Sequence, residues 1–487
     1  MDGKIETAMK ELGSKTVSWE EQRNFARVTG DYNPVHMDDI AARRTQAGKA
    51  LVHGMHMVMW ALDRLIAEEV LSMPLAGFKA RFSKMVYVGE TIALWVIRES
   101  GSLVSAQVRV GNTVAVMVSV MRGELAPALP PTVLESDKEG ERARDLTLEE
   151  MNGKSGSVLF ANGAEDMFLS AGRALGSTRV RAIGAITRLV GMVCPGLHSM
   201  AYSYDVAFTK GGEDEESLSF RVEEVDERFR LLTQVVNGGG LKGTVVAIAR
   251  VPPVSQPRLN EIAKWVNPRE FAGINALVIG GSRGLGELTA KMIAAGGGSV
   301  VITYAVGSQE AHTVCEEIRA WGGRCETMQY DVRRGAAEQL DGLTRMPSHL
   351  FYFATNVIFT RADGVFSAAA FEGFRQFYLT GFYDLCEALM KKRGETVLHV
   401  FYPSSVFVTE RPAGMTEYAM AKAAGEVLCK DMTSAMPGLQ IKMARLPRLL
   451  TDQTATTTAL ETEDPIQVLL PLVREMSGRE LYTPPLS

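Results

Sequence analysis

Asp31 and His36 stand five residues apart within FARVTGDYNPVHMDDIAARRTQAGKALVHGM, residues 25–55. Gly30, Asn33 and Pro34 make the intervening stretch turn-forming. Such a loop can aim a carboxylate and an imidazole into one small space, where the two can share a water as a general-base pair. About eighteen residues beyond His36, the run His53-Gly54-Met55 opens a long apolar-periodic segment. The first N–H groups of a helix have no acceptor within it, so Gly54 can offer one to a developing oxyanion. The same residues also describe something plainer: an Asn-Pro turn with an aspartate cap and a surface histidine.

A second set lies near the other end of the chain. Ala276-Leu-Val-Ile-Gly-Gly-Ser-Arg-Gly-Leu-Gly286 reads as a strand, a glycine turn and a helix start. Gly280, Gly284 and Gly286 let backbone approach a pyrophosphate seated on the helix N-terminus, with Ser282, Arg283 and Leu285 completing the turn. Further on, SSVFVTERPAGMTEYAMAK holds Ser405, Tyr418 and Lys422. Tyrosine and lysine four apart share a helix face, so the ammonium can lower the phenol's pKa. Ser405, just after the apolar strand 397–401, can reach the same carbonyl.

Gly-Asp-x-Asn-Pro-x-His followed by His-Gly-Met resembles the hydratase motif of MaoC-like proteins, the (R)-specific enoyl-CoA hydratases, over most of residues 15–125. That resemblance implies that Asp31 and His36 activate one water for addition to a trans-2-enoyl thioester. It also implies that the Gly54 N–H holds the thioester oxygen. Residues 273–455 resemble the short-chain dehydrogenase/reductase family. There the likeness implies that Tyr418 protonates the carbonyl oxygen, Lys422 holds the ribose and acidifies the tyrosine, and Ser405 orients the substrate. Asp331 and Val332 match the adenine-contacting pair, and Ala354 falls in the cofactor-binding segment after the fourth strand.

Departures from that family's pattern are Ile279 for a threonine, Phe353-Ala-Thr355 for Asn-Ala-Gly, and Tyr378 where a helix asparagine completes the proton relay. Arg445-Leu-Pro-Arg448 replaces the frequent Pro-Gly of the substrate loop. The second strand, 300–304, ends without the carboxylate that binds ribose hydroxyls in NAD enzymes. Arg283 can instead pair with a 2′-phosphate, so NADP(H) is the expected cofactor.

The elements that must position these groups fall into three blocks. Residues 1–127 place one long helix, 54–71, before strands at 78–86, 91–98, 104–110 and 113–122. Residues 145–255 repeat the order, with a helix at 180–193 and strands at 200–209, 218–225, 229–237 and 242–250. Ala80–Val86 aligns with Tyr202–Phe208 across the two blocks. Together they predict an α+β double hotdog, although two unrelated α+β domains in tandem would read similarly. The second block lacks Asp-x-Asn-Pro-x-His, and its lone His198 reads as structural, so it is expected to be non-catalytic, supplying sheet area. Residues 273–487 alternate strands and helices, predicting an α/β Rossmann domain with a doubly wound parallel sheet. Proline- and charge-rich stretches at 127–150 and 251–257 read as linkers.

The bulk properties set limits. A chain of 487 residues exceeds what one core usually serves. A net charge of -5 gives no basic field for a phosphate backbone, so nucleic acid is not an expected partner. Five scattered cysteines (194, 315, 325, 386 and 429) suggest neither a disulfide framework nor a metal site. No signal-like segment or membrane-length apolar run is read, so a cytoplasmic protein is expected. The expected ligand is an acyl-CoA or acyl-carrier-protein thioester, and a homodimer through either half is compatible. Two rivals stay open. YAMAKAAGE, residues 418–426, is also similar to nucleotide-sugar reductases and epimerases, and a degenerate acyl-binding scaffold would keep the same outline.

Overall fold

The computed structural model describes residues 9–128, 142–358, 365–394, 396–452 and 462–478. Most of the expected linker at 127–150 lies outside them. The described residues divide into two compact units, one ending at Pro252 and the other beginning at Pro253.

The first unit is built on ten strands. They are β1 (Lys10–Thr16), β2 (Leu75–Phe82), β3 (Thr91–Glu99), β4 (Leu103–Val110) and β5 (Thr113–Arg122), then β6 (Ser155–Leu159), β7 (Ser199–Phe208), β8 (Ser217–Asp226), β9 (Leu231–Gly238) and β10 (Leu241–Ala249). They form one sheet in the order β1-β3-β4-β5-β2-β7-β10-β9-β8-β6. Counting strands within each half, both run first-third-fourth-fifth-second toward the middle. There β2 pairs antiparallel with β7, Phe78 opposite Val206 and Arg81 opposite Ser203. Gly77 takes φ 152°, and a side chain there would collide with the Val206 carbonyl of the partner strand. The two halves are therefore zipped backbone to backbone.

Each half lays one helix on the sheet. Gly54–Ala67 buries Met55, Met57, Val58, Met59, Trp60, Ala61, Leu62 and Leu65, so nearly its whole circumference is apolar and enclosed. It ends earlier than its periodicity suggests. Glu69 turns into the left-handed region (φ 55°), and the N–H groups of Val70 and Leu71 fold back to the Leu65 carbonyl at 3.0 and 3.2 Å. Likewise β2 stops at Phe82 rather than at 86. Val86 leaves the sheet so that its carbonyl can accept from the Val52 N–H at 2.8 Å. In the second half Ser177–Arg188 is α-helical, and Leu189–Val193 continues as a π-turn rather than as the same α-helix. β1 and β6, each the outer edge of its half, lie outside the strands that the sequence predicts, because they carry no strong alternation. One continuous apolar core joins both halves, from Phe25, Met55 and Leu65 to Ile183, Ile186 and Phe208.

The second unit holds a six-stranded sheet, β13-β12-β11-β14-β15-β16, parallel throughout. Its strands are β11 (Asn275–Ile279), β12 (Ser299–Tyr304), β13 (Arg324–Gln329), β14 (His349–Tyr352), β15 (Leu398–Ser405) and β16 (Leu439–Leu446). Both faces are covered, giving two apolar layers. Leu288, Ile293 and Ile318 lie in one, and Phe382, Leu385 and Leu389 in the other. Strand order reverses beside β11, where open α/β sheets form their ligand crevice. No helix among the described residues is long and apolar enough to cross a membrane.

Candidate active sites

Local chain chemistry brings the first site together. Ser18 caps the helix Trp19–Thr29, and Gly30 ends it in the left-handed region (φ 75°), its N–H donating to the Ala26 carbonyl at 2.8 Å. Asp31 is thereby delivered into the interior at 1% exposure. Asn33 caps the next short turn, Pro34–Met37, its Oδ1 accepting from the Val35 N–H at 3.0 Å. That turn carries His36.

Asp31, His36 and His53 each place a donor atom within 4.8 Å of the other two. The His36 Nδ1 lies 2.8 Å from the Leu51 carbonyl. A carbonyl only accepts, so Nδ1 holds the proton and Nε2 keeps its lone pair for the site. His53 Nε2–H similarly donates to the Asp31 backbone carbonyl at 3.0 Å, and its ring stacks on His36 with centroids 4.1 Å apart. With those ring N–H groups already committed to carbonyls, the three form an acid–base set. Burial pushes the Asp31 carboxyl up, opposed by His36, Thr187 and the Asn33 N–H. Burial pushes His36 down, opposed chiefly by Asp31. Burial thus favours the uncharged form of each: the Asp31 carboxyl moves toward neutral pH, and His36 is held as a neutral imidazole with its lone pair free. His36 keeps part of its surface open, whereas His53 is fully enclosed. Gly54 is the first residue of its helix, and a Cβ there would come within 2.8 Å of the Phe82 ring.

Sequence reasoning missed that the second half reaches into this site. Thr187 Oγ1 donates to Asp31 Oδ2 at 2.7 Å. Asn33 Nδ2 donates to the Gly191 and Gly196 carbonyls at 2.7 and 3.0 Å. A side chain at Gly191 would collide with the Asp31 carboxylate. Tyr204, also buried, has its phenol held up by burial first and by the Asp31 charge second. The one signal available was a threonine and a glycine interrupting the apolar segment 180–193. His198 sits 3.3 Å from the Asp145 carboxylate.

In the second unit, Gly280 takes φ 76° and packs where a Cβ would lie 3.1 Å from the Ala354 N–H. A side chain at Gly286 would strike the Gly280 carbonyl, whereas one at Gly284 (φ 57°) would meet nothing within 4 Å. The turn is thus closed toward the sheet and open at the start of the helix Gly284–Ala295. That is the form of a cradle for a pyrophosphate, and it fits a dinucleotide. Ser282 is buried and Leu285 packs against the core. Arg283 pairs with Asp452 at 3.4 Å. Val332 is buried, and the Asp331 carboxylate holds the Arg333 guanidinium at 2.9 and 2.7 Å.

Tyr418 and Lys422 share one face of the helix Thr416–Ala435, and Ser405 ends β15 beside them. Contrary to the lowering expected from Lys422, burial pushes the Tyr418 phenol up to about 12, and it is the Ser405 hydrogen bond that pulls the other way. Burial brings the Lys422 ammonium down to about 7. Lys422 donates to the Pro403 carbonyl at 2.6 Å and lies 3.8 Å from the Tyr378 ring centroid. Tyr378 sits in a π-turn, Gln376–Thr380, with its hydroxyl bonded to Thr355. So two of the sequence departures, Thr355 and Tyr378, meet beside the lysine. A buried cation over an aromatic face is favoured by the ring's quadrupole.

Comparison with known proteins gives the class. Residues 2–120 match the family described as MaoC like domain, and residues 275–463 match short chain dehydrogenase. The chain is similar to a 3-oxoacyl-[acyl-carrier-protein] reductase of Synechocystis, 28% identical over 214 residues, 41% of this chain and 82% of that protein. It is also similar to a 3-hydroxybutyryl-CoA dehydratase of Methylorubrum extorquens, 30% identical over 123 residues, 25% of this chain and 64% of the relative. The mouse peroxisomal multifunctional enzyme type 2 is 28% identical over 140 residues, 28% of this chain but only 19% of the relative's length. Among solved structures, a short-chain dehydrogenase from Burkholderia cenocepacia in complex with NADP is 23% identical, with a TM-score of 0.37, covering 42% of this chain and 91% of that one. The chain is an enzyme that carries two catalytic domain types. A MaoC-like dehydratase domain at residues 2–120 is fused to a short-chain dehydrogenase domain at residues 275–463.

Proposed function

We propose that this protein is a bifunctional enzyme of acyl thioesters, CoA- or carrier-protein-linked. One site is an (R)-specific enoyl hydratase that also runs as a 3-hydroxyacyl dehydratase, and the other is an NADPH-dependent 3-oxoacyl reductase. The observation that carries this is the presence, in one chain, of two enclosed and oriented acid–base sets. One is Asp31 with His36 beside the Gly54 helix start, and the other is Ser405, Tyr418 and Lys422 beside a glycine turn. Residues 145–255 are read as a second, non-catalytic hotdog, supported by the shared strand order.

At the first site, Asp31 and the His36 Nε2 take a proton from water as its oxygen adds to C3 of the enoyl thioester. The proton returns at C2, and the Gly54 N–H holds the charge that gathers on the thioester oxygen. At the second, the dinucleotide supplies hydride when bound. Tyr418 gives its proton to the C3 oxygen, Ser405 orients that oxygen, and Lys422 binds ribose hydroxyls. Gly280, Ser282, Arg283, Gly284, Leu285 and Gly286 would hold the pyrophosphate side, with Asp331 and Val332 at the adenine and Ala354 near the ribose. Assaying the purified protein on crotonyl and 3-oxoacyl thioesters, with NADPH and NADH, tests both halves. Absence of hydration or of reduction would remove the corresponding activity.

NADP rather than NAD rests on Arg283 and on a second strand that ends at Tyr304 without a carboxylate. A charge-assisted contact to a 2′-phosphate is worth about 1.5–3 kcal/mol. Arg283→Ala should therefore raise the KM for NADPH by roughly ten- to a hundredfold while leaving that for NADH nearly unchanged. Equal losses would mean that Arg283 serves the turn and its Asp452 pair instead.

With Lys422 down at about 7 in the free protein, kcat/KM for NADPH should fall as pH rises through that value, because the charged form is the one that donates to ribose. The Tyr378 ring favours the ammonium, so Tyr378→Leu should move the fall to lower pH, and Tyr378→Phe should leave it in place. A profile flat from pH 6 to 9 would contradict this assignment.

A further inference from the structure

We propose that Thr187 is a positioning residue for the hydratase base, so that the second half of the first unit is part of the catalytic device and not only a platform for it. The inference rests on the hydratase reading of Asp31 and His36. Asp31 has two carboxylate oxygens, and each takes one donor: Oδ1 accepts from the Asn33 N–H at 3.2 Å, and Oδ2 from the Thr187 hydroxyl at 2.7 Å. One donor is local to the loop. The other comes from 156 residues away, on the helix of the other half. Two donors on opposite oxygens fix the plane of the group, leaving each oxygen a further lone pair for water.

The surroundings enforce this contact. Thr187 is buried, and its helix passes into a π-turn two residues later, at Leu189. Such turns insert a residue into a helix and often mark functional sites. This one presents Gly191, whose missing side chain makes room for the carboxylate, and a carbonyl that the Asn33 amide grips at 2.7 Å. The opposite half thus meets Asp31 with a donor and a gap, and meets the neighbouring Asn33 with an acceptor.

A hydroxyl bonded to a carboxylate favours its charged form, countering burial. The other ionisable groups facing Asp31 are His36 and His53 from its own half, and Arg188 and Tyr204 from the other. Arg250 acts on His36. All stay in place when Thr187 alone is changed. Loss of the donor should therefore shift the acid limb of hydration upward, because the base must be ionised to work.

The test is hydration of crotonyl-CoA by the full chain over pH 5–9, for wild type, Thr187→Val and Thr187→Ser. The valine variant keeps the volume and loses the donor. It should move the acid limb of kcat/KM up by about one pH unit, with kcat down about tenfold on the acid side of the wild-type limb and KM little changed. The serine variant keeps the donor and should retain the wild-type limb. If Thr187→Val does not give a cooperative melt, Thr187→Ala is measured in its place. An unmoved limb in the donor-less variant, or a serine variant as impaired as it, would overturn the proposal. A wild type that does not hydrate crotonyl-CoA would instead remove the hydratase reading on which it stands.

Discussion

Replacing Asp31 by alanine is expected to lower hydration of a crotonyl thioester by at least about a hundredfold, the usual scale for a general acid–base group. His36→Ala should cost as much, and the double variant little more than either single one. Both groups serve one water, and residues that act as a unit do not add. Asp31→Asn is the sharper version. It preserves the volume against Gly191 but cannot accept a proton at neutral pH, while the Thr187 hydroxyl can still donate to an amide oxygen. Near-normal hydration in Asp31→Asn would remove Asp31 from the mechanism. Ketone reduction should be unaffected in all of these variants, because the first unit has its own sheet and core.

Tyr418→Phe should produce the converse, with ketone reduction lost and hydration kept. The substitution removes one oxygen from a ring otherwise held edge-on by Phe374, Tyr378 and Phe407, so the pocket wall stays. Only the proton donor to the carbonyl oxygen goes. The loss should appear in kcat, with the KM for NADPH little changed, because Lys422 and the glycine turn are untouched. Reduction at the wild-type rate would show that Tyr418 is not the donor, and attention would pass to Ser405.

Much of this architecture could be read from residue patterns because its signals are local. Asn275–Ile279 and Thr113–Arg122 stand where apolar runs and turn residues place them, and most other boundaries move by one to three residues. Larger departures arise where a long-range contact decides. The helix expected to run to Leu71 stops at Ala67 because backbone N–H groups find the Leu65 carbonyl, and β2 ends early because Val86 has a better partner in Val52. Site legibility divides the same way. Asp31, His36 and Gly54 share one motif and converge through a cap, a turn and a helix start. Thr187, Gly191 and Tyr204 belong to no motif. Their importance comes from where the other half of the sheet puts them, which no spacing along the chain encodes. Tyr378 lies between these extremes. It was visible as a departure from pattern, but its place over Lys422 depends on a π-turn that periodicity cannot predict.

Two halves with the same strand order, joined through β2 and β7, have the arrangement that a pair of identical subunits would give. In such a pair every amino-acid change appears twice, and a residue that suits one copy's cavity must be tolerated in the other's. Continuity of the chain lifts that constraint. The segment around Thr187 and Gly191 can specialise to embrace Asp31 without the same residues being imposed on the first half. Substitutions in the two halves should accordingly have unequal consequences, even at positions that look equivalent in the sheet.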